Sequence, residues 1–270
     1  MPDVHEIQCK TLLNKSGIPG IDYSVNPYTG CLHACSYCYA GFMARYTAHG
    51  MAWGTFCDPK INAAGVLEKE IRKRPPGLVS LSTVTDPYQA AESKYGLTRA
   101  ILGRLADSDF TVSILTKSGL VLRDCDILKR FGKNRIEVGF SINTADETVR
   151  MAFEPGAPPV SDRLDALRLL HNAGIATWVF IAPVLPGLTL RSLEVLLPIL
   201  EKHADRVLID GLNIKAGNWN GIVTAAGRLD PAAAAAWNNP SFVERERRKE
   251  MDLIAGTLAE RLGRKTVSRV

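Results

Sequence analysis

Long hydrophobic runs are missing from this sequence. The longest apolar stretch, Thr177 to Leu185, is interrupted by Pro183, and it is shorter than the about 20 apolar residues that a membrane helix needs. The segment Met1 to Lys10 carries acidic groups and no apolar core, so it does not have the pattern of a signal peptide. We therefore expect a cytoplasmic protein that does not contact a membrane.

Cysteine is scarce, and its distribution along the chain is uneven. Six cysteines in 270 residues are too dilute for a disulfide scaffold. Three of them, Cys31, Cys35 and Cys38, fall within eight consecutive residues. In a reducing compartment, clustered thiols of this kind indicate a metal site more often than a disulfide. Cys9 and Cys57 have no companion pair and are expected to be free thiols.

A strong charge of one sign is also absent. The formal net charge is +5, which permits an anionic partner but does not require nucleic acid. Hydrophobic residues make up 46% and charged residues 23% of the chain. These ordinary values exclude disordered, collagen-like and coiled-coil proteins.

Short apolar segments alternate with helical patterns along most of the chain. The segments that read as strands are Ile21–Asn26, Leu78–Val84, Thr111–Thr116, Ile136–Ser141, Thr177–Ile181 and Arg206–Asp210. Apolar strands separated by helices predict an α/β fold with a parallel sheet covered by helices, either an open doubly wound sheet or a barrel. No G-x-G-x-x-G follows a strand, which weakens a dinucleotide-binding interpretation. We divide the chain into an N-terminal segment (1–20), a βα region (21–225) and a C-terminal helical extension (226–270), whose last residues are expected to be frayed.

The cysteine cluster follows the first predicted strand and has the spacing Cys31-x3-Cys35-x2-Cys38. A tetrahedral zinc site would need a fourth ligand, either His33 or a distant cysteine. An iron–sulfur cubane normally takes one thiolate per iron. Three thiolates therefore leave one iron open to a substrate or cofactor. From the residues alone, both a zinc site and an iron–sulfur cluster fit this loop.

This motif, with Tyr37 before its last cysteine, resembles the signature of the radical S-adenosylmethionine (SAM) superfamily. Five segments resemble the branch that contains spore photoproduct lyase and proteins labelled DNA repair photolyases: 26–31, 38–40, 84–89, 115–118 and 153–156. The resemblance covers about residues 10 to 205. It implies a partial (β/α)6 TIM-like barrel of parallel strands. It also implies a [4Fe–4S] cluster on the three cysteines, SAM chelated to its open iron, and reductive cleavage of SAM to a 5′-deoxyadenosyl radical that abstracts hydrogen from a substrate. A reductant protein such as flavodoxin or ferredoxin is implied as a partner.

The resemblance also implies which strand ends contact SAM. The predicted contacts are Thr85 and Asp86 with the methionine ammonium, Lys117 with the carboxylate, Ser141 and Asn143 with the ribose, Arg163 with the carboxylate or ribose, and Ala182 and Tyr37 with adenine. Most have a structural alternative: Asp86 opens a turn before Pro87, Lys117 is a solvated surface lysine, Ser141 and Asn143 cap the helix near Asp146, Arg163 forms a salt bridge, and Tyr37 packs beneath the loop.

The sequence departs from the lyase at the hydrogen-donor cysteine, where Thr83 stands. Because an O–H bond is too strong to replace a thiol as donor, the known lyase mechanism does not transfer directly. Cys125, at the start of a predicted helix, is the candidate substitute, or else a buried small hydrophobe. Tyr39 matches a relay tyrosine of the lyase, or else packs the loop.

Three functions remain open at this point. The first is a radical SAM enzyme acting on nucleic acid or a nucleotide-like substrate. An Asn- and Trp-containing segment after the last strand supports it, comprising Asn213, Lys215, Asn218, Trp219 and Asn220. The second is a radical SAM enzyme acting on a small molecule or peptide. The third is a non-catalytic metal-binding module.

Overall fold

A computed structural model describes residues 3–132, 134–214, 217–230, 235–263 and 267–269 of the protein. Its strands are β1 (Asp3–Val4), β2 (Asn14–Lys15), β3 (Tyr23–Val25), β4 (Tyr28–Thr29), β5 (Phe56–Pro59), β6 (Leu78–Leu81), β7 (Thr111–Thr116), β8 (Ile136–Ser141), β9 (Ala176–Val184), β10 (Arg206–Gly211) and β11 (Val267–Arg269). The α-helices are α1 (Ala63–Ile71), α2 (Glu92–Tyr95), α3 (Leu97–Ala106), α4 (Cys125–Leu128), α5 (Glu147–Phe153), α6 (Val160–Asn172), α7 (Leu193–His203), α8 (Trp219–Leu229) and α9 (Pro240–Leu262). Three 3-10 helices span Tyr39–Tyr46, Gly119–Asp124 and Leu190–Ser192.

The main sheet has the order β11-β10-β9-β8-β7-β6-β3-β2. From β3 to β10, neighbouring strands pair in parallel and follow the order of the chain. The sheet ends at β2 and β11 and does not close. This arrangement confirms the prediction of six parallel strands in a partial barrel. Parallel strands joined through helices have connections of one handedness, so successive strands add to the sheet in the same direction.

The hydrophobic core lies between this sheet and the helices that cover it. Alternate residues of β7 are buried, and Val79, Ile114, Val138, Val179 and Ile209 are fully buried in one cluster. The helices that cover this core begin and end at residues suited to those positions. The Asp146 side chain caps α5 by accepting hydrogen bonds from two backbone amides, and Asn239 caps α9 directly before Pro240.

The structure corrects the sequence-based assignment at several elements. No bounds were predicted for helices α1 and α5, and α8 was not predicted, because their apolar faces are short or interrupted by polar residues. The expectation of frayed final residues is wrong for Val267–Arg269, which pair in parallel with β10. Part of the predicted helix at 230–237 lies at 231–234, outside the described residues.

A second, small sheet has the order β1-β5-β4, and its central strand β5 lies between the cysteine motif and α1 in the chain. Across the described parts of the chain, we find no helix with the length and apolar character needed to span a membrane.

Candidate active site

The carboxyl ends of the parallel strands carry the polar residues that the sequence singled out. Asn26 follows β3, Lys117 follows β7, Asn143 follows β8, and Ala182 lies near the end of β9. Because parallel strands end at one edge of the sheet, these residues face a common region. The segment Gly30–Cys38, called here the cluster loop, crosses the same region.

Hydrogen bonds from three other segments hold the cluster loop. The Gln89 side chain accepts from the Leu32 amide at 2.9 Å and donates to the Gly30 carbonyl at 3.2 Å. The Ser36 amide donates to the Phe153 carbonyl at 2.8 Å, and the Gly156 amide donates to the His33 carbonyl at 3.0 Å. A β-carbon on Gly156 would lie 2.0 Å from the Leu32 carbonyl oxygen, so this position accepts only glycine without movement of the backbone.

The three thiols of the cluster loop lie in one electrostatic environment. Burial raises the pKa of each, to about 12 for Cys35, and a negative charge on one thiol raises the pKa of its neighbours. Protonated, buried thiols are poor nucleophiles. A bound metal supplies the positive charge that keeps such groups as thiolates, so the loop is suited to a metal and not to nucleophilic catalysis.

The spread of the sulfur atoms distinguishes between a zinc ion and a larger cluster. With ligands at about 2.3 Å, a tetrahedral zinc ion holds its sulfur ligands within about 4 Å of one another. In the described chain, a trio of ligand atoms all within 4.8 Å of one another occurs at His5, His49 and Asp58, and not at the three cysteines. The cysteine sulfurs are therefore more widely spaced than one zinc ion requires, which favours the iron–sulfur interpretation.

Thr85 and Asp86 are already engaged within the protein. Asp86 is buried, and its carboxylate accepts from the Tyr88 amide at 2.8 Å, the Thr116 hydroxyl at 2.7 Å and the Lys117 amide at 2.8 Å. The Thr85 hydroxyl donates to the Gly30 carbonyl at 2.6 Å. These contacts tie the end of β6 to β7 and to the cluster loop, which favours the turn role of Asp86 over contact with an ammonium group.

Lys117 carries a positive charge beside the cluster loop without a carboxylate partner. Within the residues that the structure describes, its ammonium group makes no ion pair, and it lies 5.8 Å from the centre of the Tyr37 ring. Burial disfavours the charged form, but the negative charges of Cys35, Glu154 and Asp86 outweigh it and raise the pKa of Lys117. The group is therefore a cation at neutral pH, positioned to receive an anion.

A buried ion pair supports the loop from the other side. Glu154 accepts from Arg163 at 2.5 Å and from the Tyr37 hydroxyl, and both Glu154 and Arg163 are fully buried. Arg163 also donates to the Ser141 carbonyl at 3.0 Å. Burial raises the pKa of Glu154, but Arg163 and Lys117 outweigh it, so the pKa is lowered. The structure thus assigns Arg163 to an internal ion pair, which was the alternative to ligand contact.

The predicted ribose and adenine contacts lie beside this ion pair. Asn143 is buried, and its amide nitrogen is 3.5 Å from the Tyr37 hydroxyl. The Ser141 hydroxyl donates to the Ala182 carbonyl at 3.2 Å. The structure therefore brings Tyr37, Ser141, Asn143 and Ala182 together, although Ser141 and Tyr37 already use their hydroxyl protons within the protein.

Tyr39 lies next to the residue that replaces the lyase donor cysteine. Its hydroxyl donates to the Thr83 carbonyl, and its side chain is 48% exposed. Asn26 accepts from the Thr83 amide at 2.9 Å and the Val84 amide at 3.0 Å. Tyr39 therefore meets Thr83 through its backbone carbonyl, and the relay role of Tyr39 stays a prediction.

Cys125 does not join this group. It lies at the start of α4, a helix that packs against α3, and its side chain packs against the main hydrophobic core. The structure therefore corrects the hypothesis that Cys125 replaces the donor cysteine, since its surroundings are those of a small hydrophobic residue. None of the six cysteines forms a disulfide within the described residues, and the expectation that Cys9 and Cys57 bind no cluster stays a prediction.

The segment after β10 contacts the cluster loop instead of presenting a binding surface. Asn218 donates to the Tyr37 carbonyl at 2.6 Å, and Trp219 packs against a hydrophobic cluster that contains Tyr37. Lys215 lies outside the described residues. For Asn218 and Trp219 the structural alternative therefore fits better than contact with a base.

Buried polar atoms without partners are concentrated around the cluster loop. Among the described residues they include His33 Nε2, Ser36 Oγ, Ser82 Oγ, Arg163 Nε and Asn218 Oδ1. Native proteins leave few such atoms unpaired, and each one suggests a missing water, ion or ligand. Together with the three thiols and the Lys117 cation, they fit a site built around a cluster and a polar cofactor that carries an anionic group.

Comparison with known proteins identifies the family. The model of the radical SAM superfamily matches residues 25–197. The chain belongs to the radical SAM superfamily. The uncharacterized protein MJ0683 of Methanocaldococcus jannaschii is 36% identical over 214 residues, which cover 79% of each chain. The uncharacterized protein Rv2578c of Mycobacterium tuberculosis is 34% identical over 273 residues, covering 93% of this chain and 80% of the relative.

A solved structure shows the same fold. A spore photoproduct lyase variant with bound AdoMet and dinucleoside spore photoproduct has a TM-score of 0.70 and 16% identity, with 98% of this chain and 80% of that chain covered. The protein is therefore an enzyme of the radical SAM class with a lyase-like fold. The family implies SAM and an iron–sulfur cluster as cofactors.

Residue-level reasoning missed the groups that hold the cluster loop. Asn26, Gln89 and Glu154 lie inside the segments that carried the resemblance, but no role was derived for them. Each bonds to residues far away in the chain. Asn26, Gln89 and Glu154 stand near glycine and proline in short polar segments, and this pattern was the available sign that they hold a loop in place.

Proposed function

We propose that the protein holds a [4Fe–4S] cluster through Cys31, Cys35 and Cys38, binds SAM beside Lys117, and abstracts hydrogen from a nucleic acid or nucleotide-like substrate. The observation that carries the proposal is the Lys117 cation, which makes no ion pair among the described residues, beside one buried and two partly buried thiols. When bound, the reduced cluster and SAM supply the 5′-deoxyadenosyl radical. The electron comes from a reductant protein such as flavodoxin or ferredoxin.

The protein's own residues divide into ligands and supports in this proposal. Lys117 pairs with the SAM carboxylate, because a charge-assisted hydrogen bond there gives its ammonium group the ion-pair partner that the described residues do not supply. Ser141, Asn143 and Ala182 line the nucleoside side through their remaining hydrogen-bonding groups. Asp86, Thr85 and Arg163 act as positioning residues, because their polar groups already bond within the protein.

The Tyr39–Tyr46 helix supports a nucleobase as substrate. Tyr39, Phe42 and Tyr46 are 48%, 42% and 67% exposed, directly after the last cluster cysteine. The Arg45 guanidinium lies 5.6 Å from the Phe42 ring centre and 5.0 Å from that of Tyr46. Exposed aromatic rings with an interleaved cation bind bases by stacking and phosphates by charge.

The cluster assignment is tested by a pair of cysteine variants. After anaerobic reconstitution, Cys35→Ala should lose the visible absorption of the cluster and should not cleave SAM. Cys125→Ala is the control, because this cysteine lies outside the cluster loop, and it should keep both properties. Cleavage of SAM by Cys35→Ala at the rate of the unaltered chain would contradict the proposal.

The substrate class is tested by stacking variants. Tyr46→Ala and Phe42→Ala should weaken binding to a short single-stranded oligonucleotide, because stacking on one ring contributes about 1–3 kcal/mol, or about 5- to 150-fold in Kd. Val195→Ala removes a comparably exposed apolar residue of α7 and should leave the affinity unchanged. Equal affinities in all three variants, measured by fluorescence anisotropy, would instead favour a small molecule or peptide.

The reaction itself is tested by isotope transfer. Reduced, reconstituted protein is incubated with SAM and deuterated oligonucleotides or dinucleosides. Deuterium in 5′-deoxyadenosine identifies the attacked carbon and supports a nucleotide substrate. SAM cleavage without deuterium transfer from any nucleotide, but with transfer from another compound, would assign the enzyme to a different substrate class.

A further inference from the structure

A second group of metal-binding side chains lies outside the cluster loop, on the small sheet β1-β5-β4. It consists of His5, His49 and Asp58, whose ligand atoms all lie within 4.8 Å of one another. Asp58 is 3% exposed, while the His49 and His5 side chains are 19% and 51% exposed. The group is therefore a buried carboxylate covered by two imidazoles, one of them accessible from solvent.

The backbone brings these residues together from three separate segments. Parallel pairing of β1 with β5 sets Val4 opposite Cys57, so the residues that follow, His5 and Asp58, are neighbours. The His49 ring stacks on His5 at 5.0 Å between ring centres and meets the Phe56 ring edge-on at 4.6 Å. These contacts orient both imidazoles toward the Asp58 carboxylate.

The carboxylate is incompletely bonded for its degree of burial. Asp58 Oδ2 lies 3.1 Å from His49 Nε2. Asp58 Oδ1 is buried without a hydrogen-bond partner, and His5 Nδ1 lies 3.6 Å from it. A buried, unpartnered carboxylate oxygen that faces two imidazole nitrogens is the donor set of sites for zinc and similar divalent ions.

The surroundings of His49 include an acceptor for its second ring nitrogen. Nδ1 lies 3.5 Å from Thr47 Oγ1 and 3.2 Å from the Met51 amide nitrogen. Thr47 donates its own proton to the Ala44 carbonyl at 2.7 Å, so its hydroxyl oxygen is able to accept. When a metal binds Nε2, the ring proton moves to Nδ1 and bonds to Thr47, and the Met51 amide gives up its contact.

We propose that His5, His49 and Asp58 bind a divalent ion of the zinc class, with water completing its coordination, and that this ion fastens the N-terminal segment to the loop that follows the cluster cysteines. The site lies behind the cluster loop, because a β-carbon on Gly30 would lie 2.5 Å from the Phe56 carbonyl oxygen. The ion thus braces the strand against which the cluster loop packs.

The test is a metal count on the reconstituted protein. Zinc is added, the sample is desalted, and zinc and iron are measured together, so that displacement of the cluster by zinc appears as lost iron. We expect one retained equivalent of zinc in the unaltered chain, and none in His49→Ala or Asp58→Asn. His171→Ala is the matched control, because His171 also lies beside a histidine ring and an aspartate and should retain the zinc.

His5→Ala distinguishes loss of a metal ligand from loss of the fold, because His5 is half exposed and we expect its removal to leave β5 intact. This variant should also lose the zinc while keeping its iron content and circular dichroism spectrum. In the unaltered chain, zinc should slow proteolysis within residues 1–10, and in His5→Ala it should not. Equal zinc retention in the unaltered chain and His5→Ala, or no retention in either, would overturn the proposal.

Discussion

Lys117 illustrates how one residue acquires its role from its neighbours. Its position after β7 predicted a cation at a strand end, which is also the position of many solvated lysines. The structure surrounds its ammonium group with the ring of Tyr37, the Cys35 thiol and the Glu154 carboxylate, without a direct ion pair among the described residues. An anion that enters the site is therefore favoured at this group.

The Lys117→Met variant tests this assignment. We expect the Kd for SAM to rise about 10- to 150-fold, because a hydrogen bond to a charged group contributes about 1.5–3 kcal/mol. The measurement is equilibrium binding of SAM to reconstituted protein. Lys94→Met is the control: Lys94 also lies over a tyrosine ring, at 4.9 Å from Tyr95, but outside the site. A similar Kd in both variants would refute the role of Lys117.

Glu154 is a residue whose function comes from burial and pairing. Removing one partner of a buried ion pair costs about 3–5 kcal/mol. We therefore expect Glu154→Gln to lower the free energy of unfolding by about that amount near neutral pH. Glu68→Gln, which removes an exposed partner of Arg72, should lower it by less than about 1 kcal/mol.

The pH dependence of the Glu154 variant has a definite sign. The folded protein lowers the pKa of Glu154 below 4.5, so the ionised carboxylate stabilises the fold above that pH. This stabilisation is lost as the pH falls through the lowered, folded-state pKa. Urea unfolding of the unreconstituted chain should show the difference between unaltered chain and Glu154→Gln shrinking in that acidic range. A difference that grows on acidification would contradict the assignment.

At the scale of elements, the cluster loop depends on segments distant in sequence. The end of α5 and the residues after it supply the Phe153 carbonyl, the Glu154 carboxylate and the Gly156 backbone to this loop. The periodic strands were predictable, because buried parallel strands are apolar throughout. For α5 only a start near Asp146 was predicted and no end, because its seven residues carry too short a pattern.

Gly156→Ala tests the close approach of this segment to the cluster loop. A methyl group there would lie 2.0 Å from the Leu32 carbonyl oxygen, so the loop must move. We expect a lower iron content after reconstitution and a lower unfolding midpoint. In Gly103→Ala, within α3, the added carbon meets nothing within 4 Å. This control should be neutral or more stable by about 1 kcal/mol, because alanine favours the helix.

At the scale of the whole molecule, the modest positive charge determines how the binding of an anionic substrate depends on salt. The net charge of +5 attracts an anion without confining it to one surface. If single-stranded nucleic acid is bound, log K should fall with log salt concentration, with a slope of about −0.7 for each phosphate neutralised. Arg45→Ala should reduce the magnitude of this slope by about 0.7, the value for one phosphate contact. Arg248→Ala, which removes an exposed arginine of α9, should leave the slope unchanged. A slope of zero would argue against phosphate contacts.

The sequence by itself determined the parallel strands and the cysteine loop, because apolar patterns and motif spacing are local properties. It also indicated the family, since Cys31, Cys35 and Cys38 lie close together in the chain. The tertiary structure decided the roles of the polar residues. The side chains of Asp86 and Arg163 bond within the protein, and the Lys117 ammonium group makes no ion pair among the described residues, because burial and tertiary contacts determine which charge is free for a ligand. The same long-range pairing brought His5 to Asp58, which no local pattern predicts.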